Sequence, residues 1–428
     1  MSAVTTPIPH PVKAGPAEPL PPESMIGLLG GGQLGWMSTE SAQRQGYRVI
    51  VYTPNPDDPA CMTADATVLA PYADAEMLQD WYQRVDVVTL EFENIPQQAL
   101  SHLTTLPHVA PLCPQPAILA VTQHRFHEKT LLASLGLPVA PFAHVTTHAE
   151  LLAACQTLGL PAVLKTCTQG YDGKGQHWLH TPEDIPTIAQ WATFSQQNAE
   201  WLLEARVPFV AECSMLIARN ARGETQTSPL IENRHVNGIL EVSCWPFVAA
   251  SPAIKPDRLT MQASAMLTSL ADALHLVGVL CMECFVTADG QLWVNELAPR
   301  PHNSLHLSRE AFTASQFDWH IQAITGQALS PMLPTTPAAA MVNILGECWG
   351  VDGELPDWDA AEALATDTCA ITVTDYGKSQ AVAGRKMAHL VFTGPDVATV
   401  TSLALAARQA AAHPESALTT QAQGLPPA

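Results

Sequence analysis

The chain has 428 residues, 47% of them apolar, and a formal charge of −20 at neutral pH. At roughly 100–200 residues per domain, this length implies two to four domains with sizeable cores. Acids outnumber bases by 40 to 20; this excludes non-specific nucleic-acid binding, which needs a basic face to neutralise phosphates, but allows a small phosphorylated ligand in a local cationic cleft.

Residues 1–23 are rich in Pro and small side chains, the composition of a disordered leader. They contain no basic segment followed by an apolar one, as a secretory signal would. No apolar run in the chain reaches the ~18 residues that span a bilayer, so no membrane partner is expected. Met25–Leu29 then reads as a short strand, followed by a helix to about Gln45 and strands at Arg48–Tyr52, Ala66–Ala70 and Val85–Leu90. This β-α-β alternation predicts a parallel sheet in a first domain at 24–120. Gly30-x-Gly32-x-x-Gly35 fits the dinucleotide fingerprint, but the second strand ends Tyr52-Thr53-Pro54 without the acid a ribose needs. An NAD enzyme is therefore disfavoured. The turn presents backbone amides to some other anion, or needs glycine for its conformation alone.

A second, α+β block is expected at 121–330. A helix at Arg125–Leu135 ends at Gly136, and a strand at Ala162–Lys165 runs into the Gly-rich loop Thr166–Gly175. A lysine at a strand end reaches nucleotide phosphates, and Gly170, Gly173 and Gly175 let a hairpin fold over them; an exposed turn is the plainer alternative. Strands follow at Trp201–Ala205 and Cys213–Arg219, a helix at about 258–275, and strands at Val277–Val286 and Leu292–Glu296. The connection Glu204-Ala205-Arg206-Val207 can offer backbone hydrogen bonds to an adenine edge, and Glu212 can accept from a ribose hydroxyl, although alone these are ordinary surface acids. Glu283 lies mid-strand among apolar residues, where an acid is costly unless paired or metal-bound. The turn Ala288-Asp289-Gly290 makes a hairpin that brings it near Asn295-Glu296. Two carboxylates and an amide oxygen suit Mg²⁺; pairing of Glu283 with Arg300 or another base is the competing reading. Arg300-Pro301-His302-Asn303-Ser304 is a compact set of donors leaving the same strand.

A small C-terminal domain is expected at 331–412, with strands at Ala340–Leu345, Ala370–Tyr376 and His389–Phe392, an Ala-rich helix at about 396–411, and a flexible tail at 413–428. Lys378, Arg385 and Lys386 are among few bases here and can clamp a phosphate, or form a solvated charge cluster. The ten cysteines are scattered through apolar runs, as in a reduced cytoplasmic protein. Cys281 and Cys284 have metal-like spacing, but on a strand i and i+3 face opposite sides, which argues against zinc there.

Taken in order, these motifs resemble the 5-(carboxyamino)imidazole ribonucleotide synthase family of ATP-grasp ligases. The likeness runs from about Met25 to Phe392. It is carried by Gly30–Met37, Asp86–Pro96, Tyr171–Gln176, Pro229–Leu240, Asn295–Ser304 and Gly384–His389. The resemblance implies an ATP-grasp fold with an N-terminal Rossmann-like (pre-ATP-grasp) domain, a small C-terminal domain and a homodimer. It implies that ATP phosphorylates bicarbonate to carboxyphosphate, and that the exocyclic amine of 5-aminoimidazole ribonucleotide is then carboxylated. By the same resemblance the nucleotide falls on Arg125, Lys165, Gly170–Gln176 (Tyr171, Asp172, Gly173, Lys174 and Gly175 between them), Glu204–Val207, Glu212, Asn295 and Glu296. Mg²⁺, with Mn²⁺ as a substitute, falls on Glu283 and Glu296. The ribonucleotide falls on Tyr171, Asp172, Lys174, Arg300, His302, Asn303 and Ser304, its phosphate on Lys378, Arg385 and Lys386. Lys174 and Arg300 are implied in catalysis, and Glu91 or Glu93 faces the amine or the bicarbonate, the choice being open. The Gly170–Gly175 loop is a natural lid over an intermediate unstable in water. Trp36, Thr166, Cys167, Gln169, Leu305 and Leu307 depart from the family pattern without removing a named ligand. Competing readings are a formate-dependent or biotin-carboxylase-like ATP-grasp ligase, and a catalytically silent ATP-binding protein.

Overall fold

The computed structural model describes residues 15, 16, 18–107, 110–168, 170, 175–197, 200–249 and 251–414. Strands β1 (Met25–Leu29), β2 (Arg48–Thr53), β3 (Ala66–Leu69) and β4 (Val87–Leu90) form the expected parallel sheet, in the order β3-β2-β1-β4. The two-residue strand period sends Ile26, Leu28, Val49 and Val51 to one face, and Leu29, Ile50 and Tyr52 to the other, so both faces are apolar and covered.

The glycine turn after β1 has a specific cause. Glu91, just past β4, folds its carboxylate beneath the turn and accepts the Gly35 amide at 3.2 Å, with the Gly32 amide beside it. A Cβ on Gly32 would lie 2.6 Å from both Glu91 oxygens, and one on Gly30 would lie 2.5 Å from Glu91 Cγ. The anion at this helix start is therefore the protein's own carboxylate. Thr53, at the end of β2, donates to Asp58 at 2.5 Å, so the nearest acid is tied back into its own loop.

Strands β5 (Phe142–Val145), β6 (Ala162–Thr166), β7 (Gln176–Leu179) and β8 (Trp201–Ala205) make a small antiparallel sheet, ordered β5-β8-β6-β7. β9 (Phe209–Arg219), β10 (Thr225–Thr227), β11 (Ile231–Val236), β12 (Ile239–Trp245), β13 (Gly278–Thr287) and β14 (Leu292–Ala298) begin a larger one. The β11–β12 hairpin turns at Asn237-Gly238, both at positive φ. No strand is expected there from hydrophobic alternation, because β11 reads Ile-Glu-Asn-Arg-His-Val, although Asn-Gly is the strongest short hairpin signal. Cys281 and Cys284 sit in cores on opposite faces of β13.

The C-terminal block shares a sheet with the second part of the chain. Its strands β15 (Ala338–Leu345), β16 (Ala370–Asp375) and β17 (Lys386–Gly394) continue the large sheet, which runs β14-β13-β9-β11-β12-β15-β17-β16 with β10 beside β9. β15 reads as a continuous apolar run because both of its faces are covered. The leader is shorter than expected. The Leu20 amide donates to Thr325 at 2.8 Å, Glu23 to Gly46 at 2.7 Å, and Leu20 packs on the first domain's core. The expected tail falls on residues outside those described, apart from His413 and Pro414; the His413 amide donates to Cys348 at 2.9 Å.

Replacing Gly32 by Ala should destabilise the protein by about 1–3 kcal/mol through overpacking against Glu91. Urea denaturation of Gly32→Ala, Glu91→Ala and the double variant checks this: the double variant should recover part of the Gly32→Ala loss, and simple additivity would contradict the contact.

Candidate active site

A cleft of about 1110 Å³ opens where the three parts of the chain meet. The small sheet contributes Val163, Lys165, Gln176 and Trp178; the large sheet Glu212, His235, Glu283, Phe285 and Asn295–Ala298; the first domain Glu91, Glu93 and Asn94; and the C-terminal block Lys378 and Val382–Lys386.

At the back of the cleft a buried ion cluster joins these parts. Glu204, on β8, binds Lys129 at 2.8 Å and also pairs with Lys165 on β6. Glu204 and Lys129 are each only 3% exposed. Burial alone would raise the Glu204 carboxyl, but the two ammonium groups outweigh it and hold it at about 2. Lys129 further donates to the Asn295 carbonyl at 2.7 Å and to Val294 at 3.3 Å, fastening β14 to the helix Arg125–Ser134. In the hinge that follows, the Ala205 amide is committed to Pro141 and the Arg206 amide to Pro161.

Glu283 and Glu296 are direct partners in the β13–β14 register, with a bulge immediately after Glu283. Glu283 is buried and pairs with His302 Nε2 at 3.0 Å. Burial pushes its carboxyl up, but His302, His235 and Lys386 pull it well below the usual carboxylate range, so it stays ionised. The competing expectation, a pair with Arg300 or another base, is met in its second form: the base is His302, not Arg300. Arg300 instead grips Glu93, with Nη2 donating at 3.0 Å and Nε completing a bidentate pair. Arg300 and its neighbours outweigh burial and hold Glu93 at about 2. Glu91 behaves oppositely, its carboxyl raised by burial despite the amides of Gly32 and Gly35.

Of the residues expected at the site, Arg125, Lys165, Gly170, Gln176, Glu204–Val207, Glu212, Glu283, Asn295, Glu296, Arg300, His302, Asn303, Lys378, Arg385 and Lys386 all line this cleft. Tyr171, Asp172, Gly173 and Lys174 lie outside the described residues. Gly175 stands at the foot of the loop at φ +72°, its carbonyl accepting the Thr166 amide at 2.9 Å, and does not line the cleft. Ser304 does not line it either. Its fully buried hydroxyl bonds Ser214 at 2.7 Å and His302 Nδ1 at 2.8 Å, so it orients the histidine from behind. Arg125 donates to the Thr166 carbonyl at 2.8 Å and to Gly170 at 2.9 Å, bracing the loop root.

Among the lining residues that escape the motif reading, three are ionisable: Lys129, Glu128 and His235. Lys129 sits on a helix where a lysine is unremarked. Glu128, beside it, is raised to about 8, first by burial and then by Glu296. His235 bonds Glu212 at 3.1 Å; burial lowers it, but Glu212, Glu283 and Glu296 raise it overall. Only the Pro229–Leu240 stretch hinted at His235.

Comparison with known proteins agrees with this layout. Residues 24–123 match a ribonucleotide synthetase preATP-grasp domain, 130–317 an ATP-grasp domain, and 339–402 a phosphoribosylaminoimidazole carboxylase C-terminal domain. The fold and cleft therefore define an ATP-grasp ligase. N5-carboxyaminoimidazole ribonucleotide synthase of Bacillus subtilis is 39% identical over 87% of this chain and 92% of its own length. The chain belongs to the N5-carboxyaminoimidazole ribonucleotide synthase family. A crystal structure of such a synthetase with ADP superposes with a TM-score of 0.81 at 37% identity, covering 91% of this chain and 98% of the other. The Aspergillus clavatus synthase in complex with ADP and 5-aminoimidazole ribonucleotide gives 0.78 at 26% identity, over 90% and 99%.

Lys129→Met should cost about 1–3 kcal/mol, since Glu204 keeps Lys165 but the Asn295 carbonyl loses its donor. Chemical denaturation at neutral pH measures it. The pH dependence has a fixed sign. Glu204 and Glu93 are depressed on folding, so their contribution is present above the ordinary carboxyl value of 4.5 and is lost as pH falls towards about 2. Glu204→Gln should flatten that acid-side loss.

Proposed function

We propose that this chain uses ATP and bicarbonate to carboxylate the exocyclic amine of 5-aminoimidazole ribonucleotide, via carboxyphosphate. The products are 5-carboxyamino-1-(5-phosphoribosyl)imidazole, ADP and phosphate. The observation that carries the reading is that one cleft is lined both by the acid pair Glu283 and Glu296 with Lys165 and by the cations Arg300, Lys378, Arg385 and Lys386. The first set suits a metal–nucleotide complex and the second a phosphorylated acceptor.

The nucleotide lies between the two sheets. Its base would pack against Val163, Val207, Phe285 and Leu297, which line the cleft, with its edge at the Glu204–Val207 hinge, its ribose at Glu212 and its phosphates at Lys165. With the Ala205 and Arg206 amides already committed, edge recognition falls to Val207 and the hinge carbonyls. Glu283 and Glu296, with the Asn295 amide oxygen, would hold Mg²⁺ or Mn²⁺; they are hard oxygen donors and Glu283 is kept ionised for the purpose. When bound, the ion neutralises charge on the phosphoryl group being transferred. Phosphorylation gives bicarbonate the leaving group it lacks, and the Gly170–Gly175 segment shields the product from water.

On the acceptor side Arg300 is rigid because Glu93 holds both of its edges, and His302 is set by Glu283 and Ser304. Glu93, locked to Arg300, is a positioning residue. Glu91, raised and facing Lys378, is the carboxylate that takes the amine proton. A homodimer and a cytoplasmic location complete the reading. They rest on the resemblance, on thiols that are all unpaired and, but for Cys61, buried, and on the lack of any membrane-length apolar helix among the described residues.

ADP release should require 5-aminoimidazole ribonucleotide and bicarbonate together with Mg·ATP, measured in a coupled assay. Turnover with formate or biotin in place of these substrates would overturn the assignment. Glu296→Ala should lose turnover while remaining folded by circular dichroism, and Glu91→Gln should lower kcat by roughly 10²–10⁴-fold, the range of a lost proton-transfer group. Burial and the neighbouring Arg385 lower Lys378 to about 8 in the free protein. The ribonucleotide phosphate needs its charged form, so KM for the ribonucleotide should rise as pH rises above about 8. Lys378→Arg should remove that alkaline limb, and an unchanged profile would exclude the lysine from phosphate binding.

A further inference from the structure

We infer that His124, Cys167 and Glu200 form a binding site for a thiophilic divalent cation of the zinc class at the root of the phosphate loop. The site is separate from the Glu283–Glu296 pair and plays no part in the proposed carboxylation. One ligand atom from each of His124, Cys167 and Glu200 lies within 4.8 Å of the others. His124 Nε2 stands 3.1 Å from Glu200 Oε2, and His144 Nε2 stands 2.9 Å from the same oxygen. Nitrogen and oxygen ligands about 2.0–2.2 Å from a tetrahedral zinc lie about 3.3 Å apart, so these side chains are already near ligating separation. An imidazole, a thiol and a carboxylate are all zinc ligands and leave a fourth position to solvent, thiolate plus carboxylate neutralise a dication, and His144, 2.9 Å from Glu200, orients the carboxylate.

The backbone holds the donors in register. The Cys167 amide donates to the Glu200 carbonyl at 3.1 Å, and the Arg125 amide donates to the Cys167 carbonyl at 2.8 Å, locking three chain segments together. His127 stacks on His124 with ring centroids 4.1 Å apart, and Phe126 stacks on His144 at 4.3 Å, which fixes both rings. Cys167 is 1% exposed and the Glu200 side chain 46%, so the site has a buried floor and an open mouth. The buried His124 Nδ1 has no hydrogen-bond partner among the described residues.

The groups facing the site are His127, Arg125 and Glu200. Burial, with His127 next, lowers His124, which keeps it a neutral ligand. Burial and Glu200 push the Cys167 thiol up to about 12. Binding therefore forms the sulfur–metal bond as the Sγ–H proton leaves to solvent, with no change of oxidation state, and affinity rises with pH. Arg125 braces the Thr166 and Gly170 carbonyls. An ion shared by its neighbour His124 and by Cys167 would tie this helix start to the strand end at Thr166.

Cobalt is the spectroscopic probe, added to the full-length protein after chelator treatment. One equivalent should give a sulfur-to-cobalt charge-transfer absorption, and zinc should displace it. Cys167→Ser should abolish that band, Glu200→Gln should weaken cobalt affinity tenfold or more, and Cys61→Ser should change neither. Glu296→Ala should keep the band, because oxygen ligands alone give none; this separates the outcome from any failure of the magnesium assignment. Absence of the band in the wild-type protein, or its survival in Cys167→Ser, would overturn the site. Should Cys167→Ser not fold, unchanged cobalt affinity in Glu200→Gln, at a half-exposed position, decides against it equally.

Discussion

The Glu204 carboxylate between Lys129 and Lys165 is the contact on which the rest of the cleft depends. It lies where β8, β6 and the helix Arg125–Ser134 converge, and Lys129 carries the link on to the backbone of β14. Desolvating three charges is costly, so the cluster is not there for stability alone. It fixes the spacing between the small sheet and the strand that bears Asn295 and Glu296. A shift of the small sheet would have to break a charge-assisted bond in a place water does not reach, which makes the separation of the two sheets nearly all-or-none.

The first domain uses its acids in two different ways. Glu93 reaches out and is spent on Arg300, exchanging its own reactivity for the rigidity of a cation. Glu91 turns inward, under glycines that leave it just enough room. Two carboxylates two positions apart on one segment thus acquire opposite protonation tendencies from their surroundings.

Much of this was legible in the order of residues. The acid pair followed from a short hairpin, since Ala288-Asp289-Gly290 sets the register locally, and the parallel first sheet followed from its alternating pattern. What escaped was non-local. Glu204 looked like a surface acid because its partner Lys129 comes from a distant helix. Ser304 looked like a substrate donor because a run of polar residues in a loop does not disclose which of them points inward. The continuation of the large sheet into the C-terminal block was hidden for the same reason: β12 and β15 are far apart in sequence, and pairing between distant strands leaves no local mark. Glu91 and Glu93 could not be told apart until Arg300 and the glycine turn were seen beside them.

That continuation has a consequence for how the chain can be divided. β15 lies hydrogen-bonded along β12 from Ala339 to Val342, so the boundary between the second and third parts runs down the middle of a sheet. Cutting the chain there would expose a row of unpaired amides and carbonyls on β12, flanked by the apolar face that Ala340 and Val342 now cover. Such an edge invites pairing with another molecule. The C-terminal block therefore protects the catalytic sheet from self-association as well as bringing Lys378, Arg385 and Lys386 to the cleft, and neither role can be separated from the other by moving a domain border.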